Sequence, residues 1–214
     1  VREGDEIVLR PDRPWARGVN RLVVTVRDVA GNESVAYKAF LIGEGPRKPA
    51  VTLRDDGMIL VGGKPYFPIG IFGVKRHMFN AWDYDRALGD LKDVGFNCAH
   101  SYVSTRKSEF HEPLAKHGLK TWELYRDDRI FDVAKKDDWF VQTGRFDPTV
   151  FAWYIGDDTA DNSTPGELYD RDEAARMLDG TRLTCQADGI HSDARDTQIG
   201  RYLDYADIFM PEIY

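Results

Sequence analysis

Cysteine is scarce in this chain: 214 residues include only Cys98 and Cys185, far apart and neither in a CxxC pair. Each falls in an apolar stretch, so both read as small buried core residues, with no redox motif. The five histidines are scattered without HExxH or paired-ligand spacing, which argues against a structural metal. No apolar run reaches the length of a membrane span, and the N-terminus Val1-Arg-Glu-Gly-Asp5 has no signal-peptide pattern. It also lacks an initiator methionine, so the expectation is an internal piece of a longer protein. Basic blocks and stripes are missing as well. The 36 acidic residues outnumber the 29 basic ones, for a formal net charge of -7, and that balance argues against a nucleic-acid partner. Finally, no Gly-rich phosphate loop follows the first buried strand, the mark that an open nucleotide-binding sheet would often carry.

What is present is an ordinary globular composition, 42% hydrophobic and 30% charged, in a chain long enough to bury a core. Residues 5–42 read as all-β, with strands over Glu6–Leu9, Asn20–Arg27 and Val35–Ile42 and a turn at Asp28-Val-Ala-Gly31-Asn32-Glu33. Three strands do not close a sandwich. Gly43-Glu-Gly-Pro-Arg-Lys-Pro49 has linker composition. The division is therefore a β segment over 1–43, a linker over 44–50 and a second unit over 51–214. That unit opens with a hairpin from Val51 to Pro68, turning at Asp55-Asp-Gly57 and Gly62-Gly-Lys-Pro65.

From there strands and helices alternate. Strands are expected over Tyr66–Gly73, Phe96–Val103, Leu119–Tyr125, Phe151–Asp158, Arg182–Ala187 and Asp207–Tyr214. Helical patterns lie between them, over 84–94, 109–117, 130–141, 164–179 and 197–206. The start of the fourth helix is marked by Thr164-Pro-Gly-Glu167, with a capping hydroxyl, proline at the first helical position and a glutamate three residues on. Such alternation predicts an α/β fold with a parallel sheet, either doubly wound or a (β/α)₈ TIM barrel. Polar and aromatic residues recur at the C-terminal strand ends, where barrel enzymes place their sites, so the expectation is an incomplete barrel of about six strands. Its open edges would make this piece dependent on the absent remainder for stability.

Strict alternation along the fourth strand puts Ala152, Tyr154, Gly156 and Asp158 inside, and Phe151, Trp153, Ile155 and Asp157 outside under helices. The same reasoning gives Thr121, Glu123 and Tyr125 on the third strand, and Met210, Glu212 and Tyr214 on the sixth. Glu123, Asp158 and Glu212 then converge at one mouth, with Phe72, Tyr125 and Tyr214 as possible sugar platforms. Asn97 and His100, at the two ends of the second strand, are further substrate-binding candidates. Carboxylates flanking a cleft suit glycosidic cleavage: one protonated to assist the leaving oxygen, one ionised as nucleophile or base. Burial and mutual repulsion are what split two like groups into those roles. The plainer readings are a strand-end or layer-closing carboxylate, a rim-packing aromatic and a hydrogen-bonded histidine.

Two resemblances accompany these readings. Gly18 to Asn32 resembles the closing part of a bacterial immunoglobulin-like module, in which G-x-N-x-L-x-V-x-V-x-D-x-x-G-N recurs. Asp56 to Gly70, Gly95-Phe-Asn97, His117-Gly-Leu-Lys120, Trp153-Tyr-Ile-Gly-Asp-Asp158 and Asp207 to Tyr214 together resemble a (β/α)₈-barrel glycoside hydrolase of the β-galactosidase/cellulase-like superfamily. That resemblance implies hydrolysis of O-glycosidic bonds in oligo- or polysaccharide, a carbohydrate as partner, no metal or organic cofactor, and a secreted or cell-surface location. It also implies an acid/base carboxylate at the end of strand four and a nucleophile at the end of strand seven. Asp158 takes the acid/base position, with Glu212 as the second catalytic candidate and the nucleophile beyond residue 214. The sequence departs from the W-Y-x-x-D-E-P pattern by Asp158 for Glu and Thr159 for Pro. The reach of the acid is shortened by roughly 1.5 Å, a misplacement that can cost on the order of a hundredfold in rate. A non-catalytic carbohydrate-binding or scaffold barrel is the alternative.

Overall fold

The computed structural model describes residues 2–3, 6–7, 11–43, 47–74, 83–101, 107–124, 144–190 and 200–213. At the N-terminus β1 (Arg2–Glu3) pairs with β2 (Glu6–Ile7), and β3 (Gly18–Arg27) forms an antiparallel hairpin with β4 (Glu33–Ile42). The turn between β3 and β4 is held by the Asp28 carboxylate, which accepts from the amides of Ala30 at 2.8 Å and Asn32 at 2.9 Å. This is a two-stranded ribbon, and no sandwich is built from it among the described residues.

A small antiparallel sheet of β5 (Val51–Leu53), β6 (Ile59–Val61) and β7 (Lys64–Tyr66) follows, as the turn residues predict. Six parallel strands come next: β8 (Gly70–Ile71), β9 (Cys98–Ala99), β10 (Thr121–Leu124), β11 (Val150–Gly156), β12 (Leu183–Ile190) and β13 (Ile208–Ile213). β8 pairs with β9, a parallel bridge from Cys98 to Lys120 joins β9 to the foot of β10, and β10 to β13 form one sheet in chain order. A sheet ordered like its sequence, with no reversal point, is the wall of a barrel and differs from a doubly wound sheet. The wall is partial: no pairing joins β13 to β8 among the described residues.

Among the described residues the α-helices are α1 (Tyr84–Asp93), α2 (Lys107–His117), the short α3 (Thr159–Asn162) and α4 (Pro165–Leu178). Asp83 caps α1 by accepting from the Asp85 amide at 2.9 Å, and Tyr84, Ala87, Leu88 and Leu91 are its buried stripe. α4 has the expected capping box. The Glu167 carboxylate accepts from the Thr164 amide at 2.7 Å, and the Thr164 hydroxyl accepts from the Glu167 amide at 3.3 Å. The helix expected over 130–141 and the start of the one over 197–206 lie outside the described residues. Residues 200–201 are in a 3-10 conformation and 202–204 form a turn, with no α-helix over 200–206.

Two apolar layers flank the wall. Trp122, Ala152, Tyr154, Cys185 and Ala187 fill the inner side, closed at the base by Val51 and Ile59 of the small sheet. Val150, Trp153 and Ile155 pack outward on Leu168, Ala175 and Leu178 of α4, with Leu41 of the hairpin against the same cluster. The base is fastened by Arg182, which is buried. It donates to the carbonyls of Val150 at 2.8 Å, Arg145 at 2.6 Å and Asp147 at 2.6 Å, and to Asp179 at 2.7 Å. Arg47, in the stretch with linker composition, also reaches Asp179 at 2.8 Å and so ties that stretch to the barrel foot.

Register decides the rest. Thr121 pairs with Val150 but Trp122 with Ala152, and Tyr154 pairs with Cys185 but Gly156 with Gln186. β11 therefore carries two extra residues, Phe151 and Ile155, and each such bulge shifts the following side chains by one face. Two expectations are corrected as a result. Phe151 belongs to the inner cluster, packed against Tyr66 and Trp122 with ring centroids at 5.5 and 6.1 Å. Gly156 faces the helices, since a Cβ there would collide with the Thr159 methyl and meet Leu168 at 3.1 Å.

Candidate active site

Because Gly156 is turned outward by the second bulge, Asp157 is the residue delivered to the inner side. Its carboxylate accepts a 2.5 Å hydrogen bond from the Tyr154 hydroxyl, which is itself on the inner face. The expectation that Asp157 lies outside as a helix or loop partner is corrected accordingly. Burial, and next the Asp157 carboxylate, push the Tyr154 phenol above its ordinary pKa and keep it a donor. Asp158 follows in the left-handed region, φ 46° and ψ 52°, and it is the one non-glycine residue at positive φ among the described residues. Its carbonyl accepts from the amides of Asp161 at 3.0 Å and Asn162 at 2.9 Å, turning the chain straight into α3.

Glu212, near the end of β13, completes the group. Carboxylate oxygens of Asp157, Asp158 and Glu212 all lie within 4.8 Å of one another, each residue half-buried. Oxygen ligands at this spacing could hold a hard cation, and equally they are the carboxylate set that glycosidic chemistry uses. Asp158 and Glu212 are thus brought together, with Asp157 beside them.

The other expected site residues divide. Phe72 and His100 do come together: their rings stack at 4.9 Å, His100 stacks in turn on Trp122 at 5.4 Å, and Tyr154 stands edge-on to His100 at 5.7 Å. This aromatic wall leads to the hydroxyl that holds Asp157. Burial lowers the His100 pKa to about 4, so the ring is neutral at neutral pH. Phe72 is 40% exposed and is the accessible end of the stack.

Glu123 and Asn97 are not brought to this site. Glu123 pairs with the outward Trp153, and its carboxylate lies 3.2 Å from His111 Nε2 of α2, on the helix side of the wall. Alternation along β10 holds, but its inward face is that of Trp122, which pairs with the inner Ala152, and Thr121 and Glu123 share the outward one. Asn97 sits at the foot of its strand, where its side chain accepts from the Ile69 amide and donates to the Phe67 carbonyl, both at 2.7 Å. Tyr125 and Tyr214 lie outside the described residues. Asp157 is what alternation missed, since no local residue pattern announces a bulge, and Trp122 was missed because alternation does not say which of two faces turns inward. An apolar cavity of about 170 Å³ lined by Trp122, Phe151, Cys98, Cys185 and Met210 lies within the wall, and no carboxylate lines it.

In architecture this is a partial TIM-barrel-like α/β unit, and solved structures share that fold. The chain is similar to the β-glucuronidase of Parabacteroides merdae, with TM-score 0.56 and 16% identity over 92% of this chain and 26% of that one. β-Glucuronidase 3 of Bacteroides uniformis gives 0.57 and 14% over 94% of this chain and 27% of that one. A family 2 β-galacturonidase of Eisenbergiella tayi, bound to galacturonate, gives 0.53 and 15% over 93% of this chain and 38% of that one. The chain thus spans about a quarter of the length of the first two. No family model matches it, and no curated protein does. Among the described residues no helix is long and apolar enough to cross a membrane.

Proposed function

We propose that this chain supplies the first six strands of a glycoside hydrolase barrel that cleaves O-glycosidic bonds in an oligo- or polysaccharide. The observation that carries the reading is the convergence of Asp157, Asp158 and Glu212 at the C-terminal ends of two parallel strands. Asp158 is the acid/base, protonating the leaving oxygen and then activating water. Glu212 faces it across the mouth, and the Phe72 ring offers a face to sugar C–H groups. The similarity in fold to β-glucuronidases and a β-galacturonidase supports the class and makes uronides one group of substrates to try. The β3–β4 ribbon is read as the end of an immunoglobulin-like module, and the parent protein as secreted or cell-surface.

The test uses the protein that carries the whole barrel, assayed on aryl glycosides of neutral sugars, glucuronate and galacturonate. Turnover on one of them is expected, with kcat reduced about 10²–10⁴-fold by Asp158→Asn. Sugar binding without turnover in the unmutated protein would favour the non-catalytic carbohydrate-binding barrel, for which the shortened acid speaks.

A further inference from the structure

Asp188, on β12, is a buried carboxylate to which nothing in the acid/base reading assigns a task; it is 3% exposed. One of its oxygens accepts from the Thr159 hydroxyl and from the Ala160 amide, both at 2.9 Å. Thr159 is fully buried and is the residue after Asp158. The next residue of β12, Gly189, pairs with Glu212. Asp188 therefore ties the exit of β11 to the strand that stands beside Glu212.

We propose that Asp188 is a positioning residue for the Asp157–Asp158 pair. The proposal rests on the acid/base reading above. A non-glycine residue in the left-handed region is strained and persists only where its surroundings over-determine it. Asp158 is held from one side by α3, whose amides bond its carbonyl, and from the other by Asp188, which anchors the two residues that follow. Hydrogen bonds to an ionised acceptor are roughly twice as strong as neutral ones, so a carboxylate is the effective anchor here. Gly156 makes room for the same turn, because any Cβ at that position collides with Thr159. The turn thus depends on Asp188 for its geometry, and the acid on the turn.

The test separates positioning from general stability through the leaving group. A displaced acid slows substrates whose leaving oxygen needs a proton and spares those whose leaving group departs unaided. In the barrel-complete protein, Asp188→Ala should lower kcat/KM, which reports the bond-breaking step alone, about 100-fold on an alkyl glycoside and less than about threefold on the dinitrophenyl glycoside. Asp188→Asn keeps an oxygen acceptor and should restore the alkyl glycoside rate to within about fivefold of the unmutated protein, and Thr159→Val, which loses one of the two bonds, should fall between. These two variants carry the comparison should Asp188→Ala fail to fold. Equal losses on both leaving groups, or no loss, overturn the positioning role while leaving hydrolysis standing. Absence of turnover in the unmutated protein on every glycoside overturns the hydrolase reading, and this proposal with it.

Discussion

The two ends of this barrel wall use the same chemical group in opposite ways. At the foot, each carboxylate has its donors. Asp179 accepts from Arg182 at 2.7 Å, Arg47 at 2.8 Å and the Trp153 indole at 3.0 Å. Asp172 and Asp207 share Arg176, at 2.6 and 3.0 Å. At the mouth, Asp157, Asp158 and Glu212 are turned toward one another, with a tyrosine hydroxyl as the donor to Asp157. Carboxylates paired with arginines at the foot lock strands to helices. Carboxylates gathered at the mouth stand at the face where barrel enzymes place their sites.

Three measurements would break or sharpen that contrast. The largest effect belongs to the foot: Arg182→Met removes a buried cation and takes a donor from Asp179 and from three carbonyls. Urea unfolding should show a loss of about 3–5 kcal/mol, with the pH profile of turnover in the folded fraction unmoved. A loss below about 1 kcal/mol would end the claim that the foot is the stabilising end.

His100 comes second. Its folded-state pKa is depressed from 6.5 to about 4 by burial, so the unfolded chain binds the proton more readily. The stabilisation is full above pH 6.5 and is lost as pH falls toward 4, worth about 3 kcal/mol when complete. Unfolding free energies across that window, compared with His100→Phe, should differ in slope; parallel curves would mean the ring is solvated. The smallest effect is Thr164→Ala, which removes the cap of α4 and should cost about 1 kcal/mol in thermal or urea unfolding. It tests whether a mouth-end carboxylate outside the cluster, Glu167, is structural in the manner of those at the foot.

Legibility in the sequence follows from range. The capping box at Thr164, the buried stripe of α1 and the order of the six strands are written in residues a few positions apart, and they appear where the pattern put them. Asp158 and Glu212 were legible because each ends an apolar run. Glu123, Asn97 and Asp157 were misplaced for a different reason. Asn97 is used at the foot to bond Ile69 and Phe67, which are distant in sequence. Asp157 follows a register shift that alternation does not register, and Glu123 lies on a regularly alternating strand whose inward face only its packing decides.

The sequence by itself determined that β11 ends in two aspartates and that the chain alternates strand and helix, because local propensity and periodicity act over short spans. Only the tertiary structure decided which aspartate faces Tyr154 and what Asp188 holds. A bulge exists only between paired strands, and one inserted residue exchanges the two faces of everything after it.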